Sequence, residues 1–374
     1  MKPLSLIGLY IYLLSVLAVA LTGLDVVSYV LGTIIDVAIF TIIALSVNLE
    51  AGIGGIPNFG KVLTVTAGAF IVGGVISRIA MAMYGVSGDF VYDNPTIVST
   101  LSRVMDFQGA FLLLLTSLVI SLIVGAVIGV AMSAPAVRLR EDYLAITLLA
   151  FGDFLFYIGR YYEPLVGGTF GVSIPPIFEK IFGGGVARYI GAAALSGAIA
   201  LLIYLALERI IQSPYGRALK VHREDPELVE VFGRKATALR LWAMAIGGAV
   251  SAVAGALYAL YAGAVHPSSF TRITFTFYPW LIMILGGMGN NLGVVNGVFI
   301  FVTMRRLVDM YKYELSAVLG FDPVWLAYMV FGALALAIIA IKPEGLVPEE
   351  STPLAVKRKV TKLDRQGGGA AAGI

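Results

Sequence analysis

A chain of 374 residues that is 59% hydrophobic and only 13% charged, with a mean hydropathy of +0.91, carries more apolar surface than a soluble core absorbs, so lipid is its solvent. It has no cysteine and two histidines, His222 and His266, which excludes a disulfide framework, a thiolate nucleophile and a multi-histidine metal centre. The net charge of +3 is too small to argue for nucleic acid, and what informs is where the charges sit.

Apolar segments long enough to approach a membrane crossing, which needs about 20 residues, lie near 4–22, 27–49, 62–83, 109–133, 143–159, 187–207, 240–265, 275–287, 292–304 and 324–341. The first follows Lys2 and has the look of a signal peptide. No small-residue cleavage pattern follows it and further hydrophobic segments do, so an uncleaved helix is expected. The fold class is therefore an all-α polytopic membrane protein of about ten transmembrane or re-entrant helices. The two short segments at 275–287 and 292–304 flank Gly286-Gly287-Met288-Gly289-Asn290-Asn291, and the sequence leaves open whether they form a full hairpin or a re-entrant one. Small residues recur at four-residue spacing (Gly73 and Ser77, Gly125 and Gly129, Ser251 and Gly255, Gly293 and Gly297). Lipid supplies little hydrophobic drive between helices, so these positions predict close backbone packing.

Four ionisable residues fall in or beside the spans: Asp36, Glu50, Lys61 and Asp153. A charge at the bilayer centre costs about 2.5–3.5 kcal/mol on insertion scales, so each is expected to face the protein interior. For Asp36, the most deeply placed, a polar contact between helices is weighed against a substrate or proton site, and the contact is preferred. Gly55-Ile-Pro-Asn-Phe-Gly60-Lys61 fits G-x-x-x-x-G-K, but Val62 stands where a phosphate loop needs Ser or Thr and a membrane segment replaces the preceding strand. Gly52, Gly54, Gly55, Pro57 and Gly60 read instead as a helix-breaking turn.

Polar connections are expected at 84–108 and 160–186, and a charged one at 208–239. Within the last, Asp225-Pro226-Glu227 reads as an N-cap, a proline at the first helical position and an acid in the first turn. Leu228, Val231 and Phe232 form an apolar stripe at i, i+3, i+4, and Gly233 terminates it. This short amphipathic helix either packs on its own bundle or lipid, or docks in a partner's groove; the spacing favours neither. Placing the N-terminus, the 208–239 loop and the tail on the cytoplasmic side satisfies most of the 26 Lys and Arg with ten crossings, leaving Arg305 and Arg306 as misfits outside. The tail at 347–374 is basic and ends in a low-complexity run. No G-x-S-x-G, H-E-x-x-H or cysteine–histidine pair occurs, so no catalytic residues and no metal ligands are assigned.

Four stretches in order resemble the permease subunits of ATP-binding-cassette (ABC) importers for branched-chain amino acids, of the LivM type. Asn48 to Gly60 is similar to that family's L-N-x-x-x-G-x-x-G-x-x-x-x-G turn. Arg138 to Thr147, followed by Phe151-Gly152-Asp153, resembles R-L-x-G-D-Y-L-A-I-x-T-L-x-F-G-E, and Gly167, Gly168, Gly171 and Pro175 resemble its T-G-G-x-x-G-x-x-x-I-P loop. Gly216-Arg217-Ala218-Leu219, Arg223-Glu224-Asp225 and Gly233 resemble the segment that contacts the ATPase in these permeases. Gly255 to Tyr258, Pro267, Phe270, Leu285 to Gly289 and Lys342-Pro343-Glu344-Gly345-Leu346 complete the set. Departures occur at Glu141, at Lys61 and after Gly233, and they leave the solute open, since relatives also move urea and amides.

The resemblance implies a permease domain over 1–346 in the cytoplasmic membrane, paired with a second homologous permease. It implies two ATP-binding subunits that carry ATP and magnesium, an extracytoplasmic solute-binding protein, and no cofactor on this chain. Gly216, Arg217, Arg223, Glu224, Asp225 and Gly233 would couple to the ATPase. Asp36, Asn48, Gly52, Gly55, Gly60, Asp153, Gly286 and Gly287 would line the path or shape its turns. The rival readings are a secondary transporter or channel with Asp36 as its coupling site, and a membrane-embedded enzyme.

Overall fold

The computed structural model describes residues 6–23, 25–139, 141–320 and 322–349. In chain order, α1 (Ile7–Leu21) leads to α2 (Val26–Val47), which unwinds into a π-helical turn, Asn48–Ile53. A tight connection reaches α3 (Lys61–Phe70), continued through a second π-turn, Ile71–Ile76, into α4 (Ser77–Tyr84). Next come α5 (Asn94–Val104), the long α6 (Phe107–Arg138), α7 (Glu141–Gly152), α8 (Phe154–Tyr161), α9 (Glu163–Val166), β1 (Val172–Ser173) and α10 (Ile177–Phe182). The chain continues through α11 (Val186–Gln212), α12 (Pro214–Glu224), α13 (Pro226–Val231), α14 (Ala236–Ala262) and β2 (Ala264–Val265). A third π-turn, Ile273–Phe277, opens α15 (Tyr278–Gly286), and α16 (Asn291–Met310), α17 (Lys312–Leu319) and α18 (Pro323–Ile341) complete the order.

Among the described residues, seven helical spans are long and apolar enough to cross a membrane, and Ile7–Leu21, Ile273–Gly286 and Tyr328–Ile341 are shorter apolar helices. Together they follow the ten apolar segments of the sequence in order. Burial sorts them into two shells. The apolar stretch of α14 is 83% buried and that of α2 is 78% buried, whereas the span through α7 and α8 is only 22% buried and α6 only 28%. A helix that is hydrophobic all round has no single inner face. What separates core from periphery is the small residues of α14. A Cβ at Gly248 would meet the backbone of Gly125 and Gly129 on α6, one at Gly255 would overlap the Val65 carbonyl on α3, and one at Gly68 on α3 would overlap the Ala252 carbonyl. The predicted pairs Gly125/Gly129 and Ser251/Gly255 thus sit at the closest helix contacts, and Ser251 Oγ and Thr64 Oγ1 share a hydrogen bond of 2.7 Å there.

Contacts define two ends of the bundle. At one end lie the 54–60 turn, α12, α13, the 287–290 turn and the segment 346–349, whose Leu346 and Val347 amides donate to the carbonyls of Leu285 and Gly286 at 3.0 and 2.9 Å. At the other end β1 pairs with β2 in a two-residue antiparallel ladder, Val172 opposite Val265. There Arg188 also donates to the Tyr261 carbonyl and Asn94 receives the Ser173 amide.

Three expected loops are more ordered than the sequence suggests. The 84–108 stretch contains α5, with Pro95 in its first turn and Ile97 and Leu101 buried. The 160–186 stretch contains α9, α10 and β1. The 208–239 stretch is almost wholly helical, with α12 as well as the expected α13. Polar composition hid these helices, because short segments anchored by one or two buried apolar residues carry weak periodicity. The 275–287 segment reaches the 287–290 turn as a short helix preceded by irregular backbone. Phe270 packs beside Phe70, near the middle of the α3–α4 span, with ring centroids 6.3 Å apart. Non-helical backbone at that depth is tolerated because it is enclosed by protein. Of the tail, residues 347–349 are described and 350–374 lie outside the described residues.

Candidate functional site

Ser213 accepts from the amides of Tyr215 and Gly216 at 3.2 and 3.5 Å and so caps α12, with Pro214 at the first helical position. Gly216 is there because a Cβ would overlap the backbone of Ile211 as the chain doubles back from α11. Asp225 ends α12 and caps α13, accepting from the Glu227 amide at 2.8 Å as its position before Pro226 predicts. Gly233, at φ +74°, closes the unit.

Two side chains of α12 rivet this unit to the core. Arg223 donates from Nη1 to the Gly52 carbonyl at 2.6 Å, and His222 Nδ1 lies 2.9 Å from the Gly54 carbonyl. Arg240 on α14 donates from Nε to His222 Nε2 at 2.8 Å, so the other ring nitrogen holds the proton and donates to Gly54. Gly55, at φ +69°, lies directly against Arg223 Cα and Cβ, where any side chain would be both strained and displaced. Arg223 also pairs with Glu349 at 2.9 Å and with Glu224 at 3.1 Å, while Lys220 pairs with Glu349 at 2.6 Å. Burial alone would raise the Glu349 carboxyl, but the hydrogen bonds and charges of Lys220 and Arg223 outweigh it and hold the group below the usual carboxylate range. Arg217 turns outward, donating to the Gln212 carbonyl at 3.1 Å. His222, Lys220 and Glu349 were not singled out by the sequence, since each acts through a partner remote along the chain.

The apolar stripe of α13 does not pack inward. Val229 is the buried residue, whereas Leu228, Val231 and Phe232 are 46, 79 and 75% exposed. The stripe therefore presents a compact apolar knob, flanked by the exposed Glu224, beyond the end of the bundle.

Behind the Gly52–Gly55 turn lies a buried polar network. Glu50 and Lys61, both fully buried, pair at 2.7 Å, and Asn58 donates to the second Glu50 oxygen at 2.9 Å. Lys61 is thus committed to a carboxylate inside the fold, which is the structural reason the G-x-x-x-x-G-K match is a turn. Gly247 on α14 makes room for Glu50, and Gly60 packs against the Leu148 carbonyl. Trp280 stacks on Phe59 at 4.4 Å and donates to the Asn58 carbonyl. Alongside runs a second chain of amides. Asn48 accepts from the Gly289 amide and donates to Asn291, which donates to Glu208, each at 2.9 Å. Gly287, at φ +122°, and Gly286, set against Gly293, form the turn that brings Gly289 to Asn48. Gly52 leaves space for both.

The remaining predicted positions lie elsewhere. Asp36 pairs with Arg306 at 3.1 Å beside a cavity of about 210 Å³, and Asp153 pairs with Arg272. Of the two misfits of the charge rule, Arg306 is the partner of Asp36, and Arg305 lies 3.8 Å from Asp309 one turn along α16. So the preferred reading of Asp36 as an interhelix contact describes the geometry, and the predicted positions fall in four places: α12–α13, the Glu50/Asn48 networks, the Asp36 cavity and the Asp153–Arg272 pair.

Sequence comparison adds kinship. The profile of the family described as "branched-chain amino acid transport system / permease component" matches residues 29–339. The chain is 40% identical over 350 residues to a probable branched-chain amino acid transport permease protein LivM of Methanocaldococcus jannaschii, covering 91% of this chain and 99% of that one. It is 28% identical over 265 residues to a high-affinity branched-chain amino acid transport system permease protein LivM of Salmonella typhimurium and 27% identical over 270 residues to that of Escherichia coli. Those matches cover 59% and 60% of the two bacterial proteins' own lengths. No solved structure matches the chain.

Proposed function

We propose that this chain, which belongs to the permease family of branched-chain amino acid transport systems, is one membrane-spanning subunit of an ATP-driven importer for those amino acids. In this reading it pairs with a second permease, and two separate ATPase chains bind ATP and magnesium and dock on α12 and α13. A solute-binding protein delivers substrate at the opposite end of the bundle. The chain itself binds no cofactor. Both termini and the α12–α13 unit face the cytoplasm, the orientation that the Lys and Arg distribution favours.

The observation that carries the reading is the join between an exposed knob and a buried turn. An apolar helix face suits a partner's groove, and Leu228, Val231 and Phe232 offer one. Force applied there reaches Arg223 and His222, and through them the carbonyls of Gly52 and Gly54 at the π-turn that ends α2. Single π-turns inside α-helices are frequent at functional sites. From that turn Asn48 leads on to Gly289 and Glu208 leads on to α11. Closing of the ATPase pair would thereby rock α2, α11, α15 and α16 together, alternating access to the path.

The test is affinity purification of the complex in mild detergent followed by reconstitution. ATPase and second-permease chains are expected to co-purify with the wild type, and Val231→Ser with Phe232→Ser is expected to lose the ATPase chains while keeping the second permease. Uptake by this chain alone that collapses with an uncoupler while ATP is maintained would sink the proposal in favour of an ion-driven carrier.

A further inference from the structure

The outer surfaces of α6 and α11 expose apolar side chains such as Leu112, Val119, Ile123 and Leu202, as lipid requires. The face formed by α2 and α16 differs. Asp36, Arg306, Arg305 and Asp309 retain 25, 31, 37 and 54% side-chain exposure. Asp36 stands roughly 16 Å along α2 from its Asp25 cap, at 1.5 Å per residue. Two cations and two carboxylates left partly open at such a depth mark a water-filled path or a covered interface, because lipid would penalise each of them. They surround a cavity of about 210 Å³ whose remaining lining is the apolar Phe40, Phe275 and Val302 together with the hydroxyl-bearing Tyr258, Tyr261 and Thr274.

Resting on the importer reading, we infer that this cavity is a transit site that reads a zwitterionic amino acid with an apolar side chain. Arg305 holds the carboxylate, Asp309 and Asp36 hold the ammonium, and Phe40 with Val302 accommodates the side chain. Arg305 is the cation with donors to offer. Its contact with Asp309 is a loose 3.8 Å, against 3.1 Å for Arg306 with Asp36, and a guanidinium carries five N–H groups in a fork that matches a carboxylate. Phe40 and Tyr278 hold that fork in place, with ring centroids 5.7 and 5.6 Å from the guanidinium carbon. Arg306, fixed by Asp36, keeps the cavity neutral overall. The volume lies below the about 300–1,000 Å³ of pockets for drug-sized ligands and suits a single amino acid. A neutral solute such as urea would leave both charge pairs unused, which sets zwitterionic amino acids apart from uncharged amides.

The chain has no cysteine, so Thr274→Cys places on the cavity wall a thiol unique within this chain, whose labelling is read on the separated subunit. In the complete transporter, leucine at millimolar concentration is expected to slow maleimide labelling of that cysteine at least threefold. Urea should leave the labelling rate unchanged, and adding Arg305→Gln should abolish protection while Arg305→Lys keeps part of it. Labelling that leucine does not slow, or protection that survives Arg305→Gln, overturns the cavity assignment. Leucine uptake by the same complex is scored separately: its absence counts against the importer reading, and uptake without protection counts against the cavity alone.

Discussion

The guanidinium of Arg223 donates to the carbonyl of Gly52 at 2.6 Å, linking the surface helix α12 to the π-turn that terminates α2. Among the described contacts it joins the exposed unit to the buried networks most directly, because the same side chain also meets Glu349 and Glu224. Arg223→Ala is therefore expected to leave the bundle folded but to lower uptake per ATP hydrolysed by about tenfold, the scale of one hydrogen bond to a charged group at about 1.5–3 kcal/mol. Parallel assays of ATPase rate and solute uptake in proteoliposomes check it; an unchanged ratio would remove Arg223 from the coupling route.

Glu50 and Lys61 pair in full burial. Removing one partner of such a pair leaves an uncompensated charge and costs about 3–5 kcal/mol, whereas replacing both by apolar groups is often neutral. Lys61→Met alone should sharply lower the yield and melting temperature of the detergent-solubilised protein. Lys61→Met with Glu50→Leu should recover most of the loss, with Asn58 left to find another partner. A double variant no better than the single one would show that the pair is not an isolated unit.

Glu349 ties the segment 346–349 to α12 through Lys220 and Arg223. Its carboxyl is held below the ordinary value of 4.5 by those two cations against the opposing effect of burial. A group with a depressed folded-state pKa stabilises fully above its unfolded value and loses that contribution as pH falls through the folded one. The segment should stay attached at neutral pH and detach progressively below about pH 4.5. Hydrogen exchange at Leu346 and Val347 reads the change, and Glu349→Gln should reproduce it at pH 7; exchange indifferent to both would refute the tie.

Gly68 faces the Ala252 carbonyl so closely that a Cβ would overlap it, whereas a Cβ at Gly197 on α11 would meet nothing within 4 Å. Gly68→Ala should destabilise the α3–α14 contact by about 1–3 kcal/mol, the cost of overpacking. Gly197→Ala should be neutral or slightly stabilising, since alanine favours the helix. Thermal unfolding of the two variants side by side decides the matter.

Much of the architecture was readable from residues alone. Long apolar runs are local, so the ten segments, the Asp225–Pro226 helix start and the turn at Gly52–Gly60 were all visible. The small-residue spacings were visible too, because each signal lies within a few turns of one segment, but that α14 is the central helix was not. What lay hidden was pairing. Asp36 shows its ionic partner only when α16 is laid beside α2, 270 residues away, and Glu50 shows Lys61 only when the π-turn bends back on α3.

The orientation of the α13 stripe was hidden for a different reason. Periodicity states that Leu228, Val231 and Phe232 share a face but not what covers it, and the buried Val229 decides that the face points away from the bundle. The sequence by itself determined that this chain lives in lipid, how its spans are ordered and which family it resembles, because hydropathy and motif order are properties of the chain. The tertiary structure alone decided which charges neutralise one another and which surface is left for a partner, because electrostatic pairing and exposure depend on distances that no linear spacing contains.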